Sequence, residues 1–110
     1  MESYRVYLTR SAIRDLQQAF SYIAYELKEP AAAKKLVKRI KTSVMGMAEL
    51  PFRHALVSDE NLASQGFRQI MVDNYMIFYL VSKDGTIVTV VRFLYGRRDW
   101  INLLKNAPGD

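Results

Sequence analysis

Three apolar runs near the C-terminal end constrain the fold of this chain more than any other feature. They lie between residues 66 and 95 and are separated by two short polar stretches, Asp73-Asn74 and residues 82–85. Asp, Asn and Gly tolerate positive φ or bond to their own backbone, so both stretches are typical of hairpin turns. The last two runs, Tyr75–Val81 and residues 86–94, are nearly all apolar, which is typical of central strands or of strands covered on both faces. We therefore expect three strands joined by tight hairpins.

The N-terminal part predicts a strand followed by a helix. Residues 4–8 alternate with a period of two, which places Tyr4, Val6 and Leu8 on one face of a strand. Thr9 or Ser11 then offers a side-chain oxygen that can cap a helix. The expected buried stripe of this helix, spaced by three and four residues, is Ile13, Leu16, Phe20, Ile23 and Leu27. The residues expected to face away are Arg14, Asp15, Gln17, Gln18 and Ser21.

A second, longer helix is predicted from Pro30 onward. Pro30 disfavours the helical conformation at Glu29, so the first helix should end near Lys28, and Pro30 suits the first position of the next one. The expected buried stripe is Ala33, Val37, Ile40, Val44, Met47 and Leu50. The opposite face is basic, with Lys34, Lys35, Lys38, Arg39 and Lys41. Such a face is either a solvated surface or a contact surface for an acidic or nucleic-acid partner.

The order of elements predicts an α+β domain. Strand, helix, helix and three strands follow one another, with order β-α-α-β-β-β, and residues 51–65 between the second helix and the meander are expected to form a mobile loop. A helical hairpin packed on an antiparallel sheet, in two layers, is the architecture this order favours. We assign residues 1–110 to a single domain, because the length allows one core.

Composition limits the chemistry and favours anionic partners. The chain has no cysteine and one histidine, which excludes disulfides and makes a metal cluster of thiolates or imidazoles untenable. No cofactor is expected. The net charge of +5 favours nucleic acid, ribosome or an acidic protein as partner. No apolar run reaches the roughly 20 residues of a membrane-spanning helix and no leader pattern is evident, so we expect a cytoplasmic protein with no membrane partner.

A cluster of arginines around a tyrosine is the candidate site for chemistry. The sequence contains no glycine-rich phosphate loop and no recognisable nucleophile with its base, and His54 stands alone in the loop. The candidate catalytic residues are Arg68, Arg92, Tyr95, Arg97 and Arg98. Arginines around a tyrosine can bind phosphates and stabilise a phosphoryl transition state, which suits metal-free RNA cleavage by its own 2′-hydroxyl. Alternatively, Arg92 pairs with an acid such as Asp99 or Asp73, and the ring of Tyr95 only packs against its neighbours.

The C-terminal tail is apolar. Trp100, Ile101, Leu103 and Leu104 follow the arginines and are expected to form one or two helical turns. Such a tail covers the edge of the sheet, or it serves as a docking surface for a partner.

Several short motifs together resemble the RelE/ParE superfamily of bacterial toxins, over nearly the whole chain from Tyr4 to about Leu104. The motifs that carry the resemblance are Ser11-Ala12, Asp15-Leu16, Tyr22-Ile23, Ala31-Ala32-Ala33-Lys34, Ile40, Leu50-Pro51, Gly66-Phe67-Arg68, Tyr75-Met76-Ile77-Phe78-Tyr79 and Val91-Arg92-Phe93-Leu94-Tyr95-Gly96-Arg97-Arg98-Asp99. The resemblance implies the toxin of a type II toxin–antitoxin system, inhibiting growth when free and neutralised by a small acidic antitoxin.

Two modes of action are known in this superfamily, and the resemblance is closer to the ParE-like one. RelE-like members cut mRNA on the ribosome, whereas ParE-like members poison DNA gyrase. Arg68 and Arg98 fall where RelE-like enzymes have basic residues, but Met76 replaces an arginine that those enzymes use. Residues 75–79 and 92–99 look ParE-like, although a histidine is common there at the place of Tyr95.

The resemblance therefore implies DNA gyrase as the leading target. The alternatives are a ribosome-dependent endoribonuclease and a decayed toxin that only binds its antitoxin. The expected antitoxin-binding residues are Trp100, Ile101, Leu104, Lys34 and Lys38. On the sequence alone, Arg92→Ala and Arg98→Ala are expected to reduce toxicity while the fold stays intact.

Overall fold

The four strands form one sheet, with three helices and one short helical tail packed around it. A computed structural model describes residues 5–49, 51–82, 86–96 and 99–105 of the chain. The strands are β1 (Arg5–Leu8), β2 (Arg68–Val72), β3 (Tyr75–Val81) and β4 (Ile87–Tyr95). The helices are α1 (Arg10–Ser21), α2 (Pro30–Glu49), α3 (Glu60–Ser64) and α4 (Trp100–Lys105). Tyr4, predicted to belong to the first strand, and Leu50, predicted to belong to the buried stripe of the second helix, lie outside the described residues.

The sheet has the strand order β1-β4-β3-β2. The three C-terminal strands form the predicted antiparallel meander, in which Ile70 lies opposite Ile77 and Ile77 opposite Phe93. Strand β1 pairs in parallel with β4, so that Leu8 lies opposite Val90 and the sheet as a whole is mixed. The predicted α+β fold, with the helical hairpin on the sheet, is confirmed. The two nearly all-apolar runs are the two central strands.

The helices α1 and α2 cover one face of the sheet. Leu36, Ile40 and Met47 of α2 are buried against the sheet, of which only Leu36 was not predicted. The stripe predicted for the first helix is partly wrong, since Ile13 of α1 is 44% exposed and Leu27, beyond the end of α1, is 51% exposed. The α1 residues that reach the core are Ala12, Leu16 and Ala19, followed by Ile23 beyond the end of the helix. Small alanine side chains let a helix approach a sheet closely, and a pattern built on large apolar residues does not register them.

The first helix ends in a π-helical segment, Tyr22–Glu26. The amide of Leu27 donates to the carbonyl of Tyr22 at 3.0 Å, and Lys28 then adopts a positive φ of 55°. The helical run therefore ends near Lys28, as the position of Pro30 led us to predict. Tyr22 and Tyr25 of this segment lie on the surface, 54% and 72% exposed.

The opposite face of the sheet is also covered, so the two-layer prediction is wrong. A second core combines Phe78, Val91 and Leu94 from the sheet with residues of the loop and the tail, namely Val57, Leu62, Phe67 and Leu104. The predicted loop contains the short helix α3, which begins where the side chain of Asp59 accepts a hydrogen bond from the Leu62 amide at 3.0 Å. The tail helix α4 stacks Trp100 on Phe78, with ring centroids 5.2 Å apart.

Thr9 joins β1, α1 and β4, and its replacement by valine is expected to destabilise the fold. Its hydroxyl accepts from the Ala12 amide at 3.0 Å as the helix cap and donates to the Val91 carbonyl at 2.7 Å. Losing both bonds at this buried position should cost about 1–2 kcal/mol of the free energy of unfolding. Urea unfolding measures the loss. Thr9→Ser keeps the hydroxyl and is the control, and a valine variant as stable as the serine variant would contradict this role.

Candidate functional site

Arg92, one of the candidate catalytic residues, lies in a nearly buried ion pair with Asp15 of α1. Its Nε and Nη2 donate to the two carboxylate oxygens at 2.6 and 2.9 Å. The side chains are only 15% and 10% exposed. This bidentate arrangement is the strongest form of an arginine–carboxylate contact. The hydrogen bonds from Arg92 to Asp15 raise the pKa of the guanidinium, although burial opposes the shift.

Asp15 holds this position because β1 is shorter than β4. Strand β1 ends at Leu8, opposite Val90, so the following part of β4 has no strand on that side. There the carboxylate of Asp15 also accepts a hydrogen bond from the Phe93 amide at 3.2 Å. The prediction that Asp15 faces away from the sheet is wrong. Arg92 does pair with an acid, as the alternative interpretation predicted, but the acid is Asp15 and neither of the examples Asp99 and Asp73. Asp73 instead pairs with Arg39 of α2 at 2.7 Å, on the surface.

Arg68 is anchored by the loop that follows α2. Its Nη1 donates to the His54 carbonyl at 2.5 Å and lies within 3.5 Å of the Phe52 carbonyl. The guanidinium carbon also lies 5.3 Å from the centre of the Phe52 ring, as in a cation–π contact. Hydrogen bonds to the loop therefore use Nη1 of Arg68.

Arg68 and Tyr95 are in register with opposite ends of β2. Arg68 is level with Tyr79 and Val90, whereas Tyr95 is level with Tyr75 and with Val72, at the far end of β2. The length of β2 separates the two levels by about 13 Å along the strands. The strands therefore do not bring Arg68 and Tyr95 together. Arg97 and Arg98 lie outside the described residues.

Tyr95 belongs to a groove of tyrosines beside the Asp15–Arg92 pair. Its ring contacts Tyr75 edge-on, with centroids 5.1 Å apart. Tyr22 joins them in a groove of about 620 Å³ between α1, α2 and the ends of β3 and β4. Burial, followed by the neighbouring Tyr95 and Tyr22, raises the pKa of the Tyr75 phenol. Sequence reasoning missed Tyr22 and Tyr75, because their proximity depends on how the end of α1 packs on the sheet.

His54 is the single imidazole of the chain, and its surroundings favour the neutral form. Partial burial, followed by the charge of Arg53, lowers its pKa. A neutral imidazole can accept a proton, but neither of the two ion pairs between described residues includes His54. The described residues also contain no group of three or more His, Asp or Glu side chains that could hold a metal ion.

Met76 lies in an apolar part of the sheet. It is opposite Met71 and Leu94 in the ladder, packs against the second core and lines a cavity with Trp100 and Ile101. Thioether and aromatic groups offer little to a phosphate.

The expected antitoxin-binding residues fall on two separate surfaces. Leu104 is buried and Trp100 and Ile101 are half-buried on the second core, so the tail covers the sheet. Lys34 and Lys38 are exposed on α2. Among the described helices, none combines the length and the apolar character that a membrane crossing requires.

The chain matches a known protein family over most of its length. The profile described as the ParE toxin of the type II toxin–antitoxin system parDE matches residues 6–100. No curated protein sequence matches the chain significantly.

Solved toxin structures share the fold. A chain from the structure of the chromosomal ParDE toxin–antitoxin system of P. aeruginosa superposes on this chain with a TM-score of 0.70 at 20% sequence identity. The superposition covers 86% of this chain and 98% of the P. aeruginosa chain. A mutant of the E. coli toxin RelE in the free state superposes with a TM-score of 0.62 at 14% sequence identity. The superposition covers 96% of this chain and 94% of the RelE chain. A chain of the toxin–antitoxin complex RelBE2 from Mycobacterium tuberculosis superposes with a TM-score of 0.57 at 19% sequence identity. The superposition covers 84% of this chain and 98% of the chain from that complex.

Proposed function

Since this chain belongs to the ParE toxin family of type II toxin–antitoxin systems, we propose that it arrests growth by binding DNA gyrase and that a small acidic antitoxin neutralises it. The proposal describes a poison that acts through a protein contact and carries out no reaction of its own. The resemblance of residues 75–79 and 92–99 to ParE-like toxins supports this target.

The observation that carries the proposal is that the described arginines of the candidate site are held in separate contacts. Arg92 is engaged bidentately by Asp15, and Arg68 is anchored on the carbonyl of His54. A phosphoryl transition state needs several donors aimed at one position. The strand register sets Arg68 and Tyr95 about 13 Å apart along the strands, which favours separate roles over a shared phosphate site.

Met76, on the face of the sheet that carries the second core, also favours gyrase binding over RNA cleavage. The resemblance places an arginine of RelE-like enzymes at this position, and a methionine cannot bind a phosphate as an arginine does. Here the position is apolar and packs near Trp100 and Ile101. A ribosome-dependent endoribonuclease, the alternative, would have to bind the scissile phosphate without this charge.

The two mechanisms predict opposite results in two assays with the purified toxin. We expect it to inhibit supercoiling of relaxed plasmid by purified gyrase and to leave mRNA on programmed ribosomes intact. Addition of the separately expressed antitoxin should restore supercoiling. Cleavage of the mRNA at low toxin concentration, with supercoiling unaffected, would overturn the proposal in favour of the RelE-like mechanism.

Tyr95→Phe distinguishes the mechanisms in cells. A nuclease that uses the Tyr95 phenol for proton transfer should lose about 100-fold or more of its rate in this variant. A gyrase poison should stop growth as wild type does, because phenylalanine keeps the ring contact with Tyr75. Colony counts after induction without antitoxin provide the measurement. Loss of toxicity by a folded Tyr95→Phe protein would contradict the proposal.

A further inference from the structure

The two long helices carry positive charge of one sign on their surface. Arg10 and Arg14 lie on α1, and the five basic residues of α2 lie between positions 34 and 41. The acidic residues of these helices are Asp15 and Glu49. Asp15 is nearly buried against Arg92, and Glu49 is the last residue of α2. Neither carboxylate therefore offsets the basic residues along the helices.

On α1 the side that faces solvent consists of hydrogen-bond donors. Arg10, Arg14, Gln17 and Ser21 are spaced by four, three and four residues, so they form one stripe along the helix. All four side chains are exposed. Arginine, glutamine and serine can each donate a hydrogen bond to an anion. We call these four residues the α1 stripe.

On α2 the corresponding side is a row of lysines. Lys34, Lys38 and Lys41 are spaced by four and three residues and are exposed, and we call them the α2 stripe. Neither of the two ion pairs between described residues includes any of the three. At 1.5 Å per residue the stripe is about 10 Å long. Its ammonium groups are therefore available to an external anion.

The two stripes belong to one surface. Helices α1 and α2 pack against each other and cover the same face of the sheet, so their exposed sides are both directed away from it. The axes of packed helices lie about 8–10 Å apart. The exposed carboxylates of Glu26 and Glu29 lie beyond Ser21, near the turn of the hairpin. The stripes together present five cations and no carboxylate.

The other side of the sheet has a mixed charge. Glu60 of α3 and Asp99, before α4, are exposed there, together with Lys105 at the end of α4. A surface that only keeps a protein soluble typically mixes both signs in this way. The single sign of the two stripes is instead typical of a surface that binds an anionic partner.

We propose that the α1 and α2 stripes bind the phosphate backbone of duplex DNA. Phosphates in protein complexes accept hydrogen bonds mainly from arginine, lysine, serine and glutamine side chains, which are the residue types of the two stripes. Such contacts carry no sequence information, so binding is expected to be independent of base sequence. The choice of DNA rests on the gyrase target proposed above, because gyrase acts on duplex DNA. A toxin bound to the enzyme would hold the DNA through this surface.

An acidic protein fits the two stripes less well. Protein interfaces obtain most of their affinity from aromatic and apolar side chains near the centre of the contact. Neither stripe contains such a side chain, whereas DNA offers about one negative charge per 1.7 Å of helix axis. An RNA duplex shares this chemistry and is distinguished by experiment.

Fluorescence anisotropy of a labelled DNA duplex of about 20 base pairs measures the binding. Between about 50 and 200 mM salt, the logarithm of the association constant should fall with the logarithm of the salt concentration with a slope of about −4.5 if all five cations contact phosphates. Two duplexes of unrelated sequence should bind equally. An RNA duplex that binds about 10-fold more tightly, or displacement of the DNA by polyglutamate at equal charge concentration, would overturn the proposal, as would absence of binding.

Two double variants test the two helices separately. Arg10→Gln with Arg14→Gln removes two cations from the α1 stripe, and Lys38→Gln with Lys41→Gln removes two from the α2 stripe. Each is expected to weaken DNA binding at least about 5-fold at 100 mM salt and to reduce the salt slope by about 2. Thermal melting verifies that both variants fold. A variant of either helix that binds DNA as wild type does would overturn the two-stripe surface.

The matched control removes the same charge from the other side of the sheet. Val6 and Leu8 of β1 pack on the core beneath the helices, so Arg5 points to the opposite face, and Lys105 ends α4. Arg5→Gln with Lys105→Gln should therefore change DNA affinity by less than about 2-fold. If this control loses as much affinity as the stripe variants, the net charge of the protein explains binding and the surface is overturned.

Lysine acetylation of the complex locates the contact. A water-soluble acetylating reagent followed by mass spectrometry should show that DNA protects Lys34, Lys38 and Lys41 and leaves Lys105 reactive. Equal protection of Lys105 would contradict the assignment to the helices.

The outcome is separable from that of the proposed function, because DNA binding is measured without gyrase. A toxin that inhibits gyrase but binds no DNA would overturn the two-stripe surface alone. DNA binding through the stripes by a protein inert towards gyrase would retain the surface and remove the target.

Discussion

Arg92→Ala is expected to lower the free energy of unfolding by about 3–5 kcal/mol, a large share of the 5–15 kcal/mol typical of a domain. The substitution leaves the carboxylate of Asp15, which is 10% exposed, without its cationic partner. The Phe93 amide remains as a donor to Asp15, but one neutral donor does not offset a buried charge. Chemical unfolding of purified wild-type and variant protein measures the loss.

A double-mutant cycle assigns this loss to the pair. Replacing both Asp15 and Arg92 by alanine should cost clearly less than the sum of the single substitutions, because no charge is then buried alone. Arg14→Ala, on the exposed side of α1, is the control and should change stability by less than about 0.5 kcal/mol. An Arg92→Ala protein as stable as that control would show that the pair contributes nothing.

This pair changes how a loss of toxicity in Arg92 variants is interpreted. The sequence alone suggests that Arg92→Ala removes activity from an intact fold, whereas the ion pair predicts that it unfolds part of the protein. Toxicity of such a variant must therefore be compared with its folded fraction. The expectation for Arg98→Ala stays a prediction, because Arg98 lies outside the described residues.

Phe78→Ala is expected to destabilise the protein by about 3–5 kcal/mol. Phe78 is fully buried in the central strand β3 and stacks on Trp100, so its loss leaves a cavity between the sheet and α4. The Trp100 emission should also move to longer wavelength, because the indole loses the ring that covers it. Thermal and urea unfolding followed by fluorescence measure both effects.

Two further substitutions test the explanation. Phe78→Leu retains most of the buried volume and should cost well under half as much. Tyr25→Ala removes an aromatic ring that is 72% exposed and should change stability by less than about 0.5 kcal/mol. Unchanged Trp100 emission in Phe78→Ala would indicate that α4 does not depend on this contact.

The secondary structure could be read from local patterns where those patterns are strong. Residues 75–81 are apolar, bounded by turn residues and long enough for a strand, and they form β3 as predicted. Pro30 marks the start of α2 because its ring and its missing N–H suit only the first turn of a helix. The helix α3 was missed because it has five residues, too few for a periodic signal.

The contacts between side chains were harder to predict from the sequence, because they depend on the order and the length of the strands. Asp15 looks like a solvent-facing residue when α1 is considered alone, and its role appears only once β1 is known to end opposite Val90. The same holds for Arg68 and Tyr95, whose separation is set by the register.

The place of β4 in the sheet has a consequence for synthesis on the ribosome. Strand β4 is the last strand to be translated, yet it alone links β1 to the rest of the sheet. A nascent chain that ends before Ile87 therefore contains an isolated hairpin and a strand without a neighbour. The whole sheet can close only when residues 87–95 have left the exit tunnel, so a chain that terminates before β4 cannot form the four-stranded sheet.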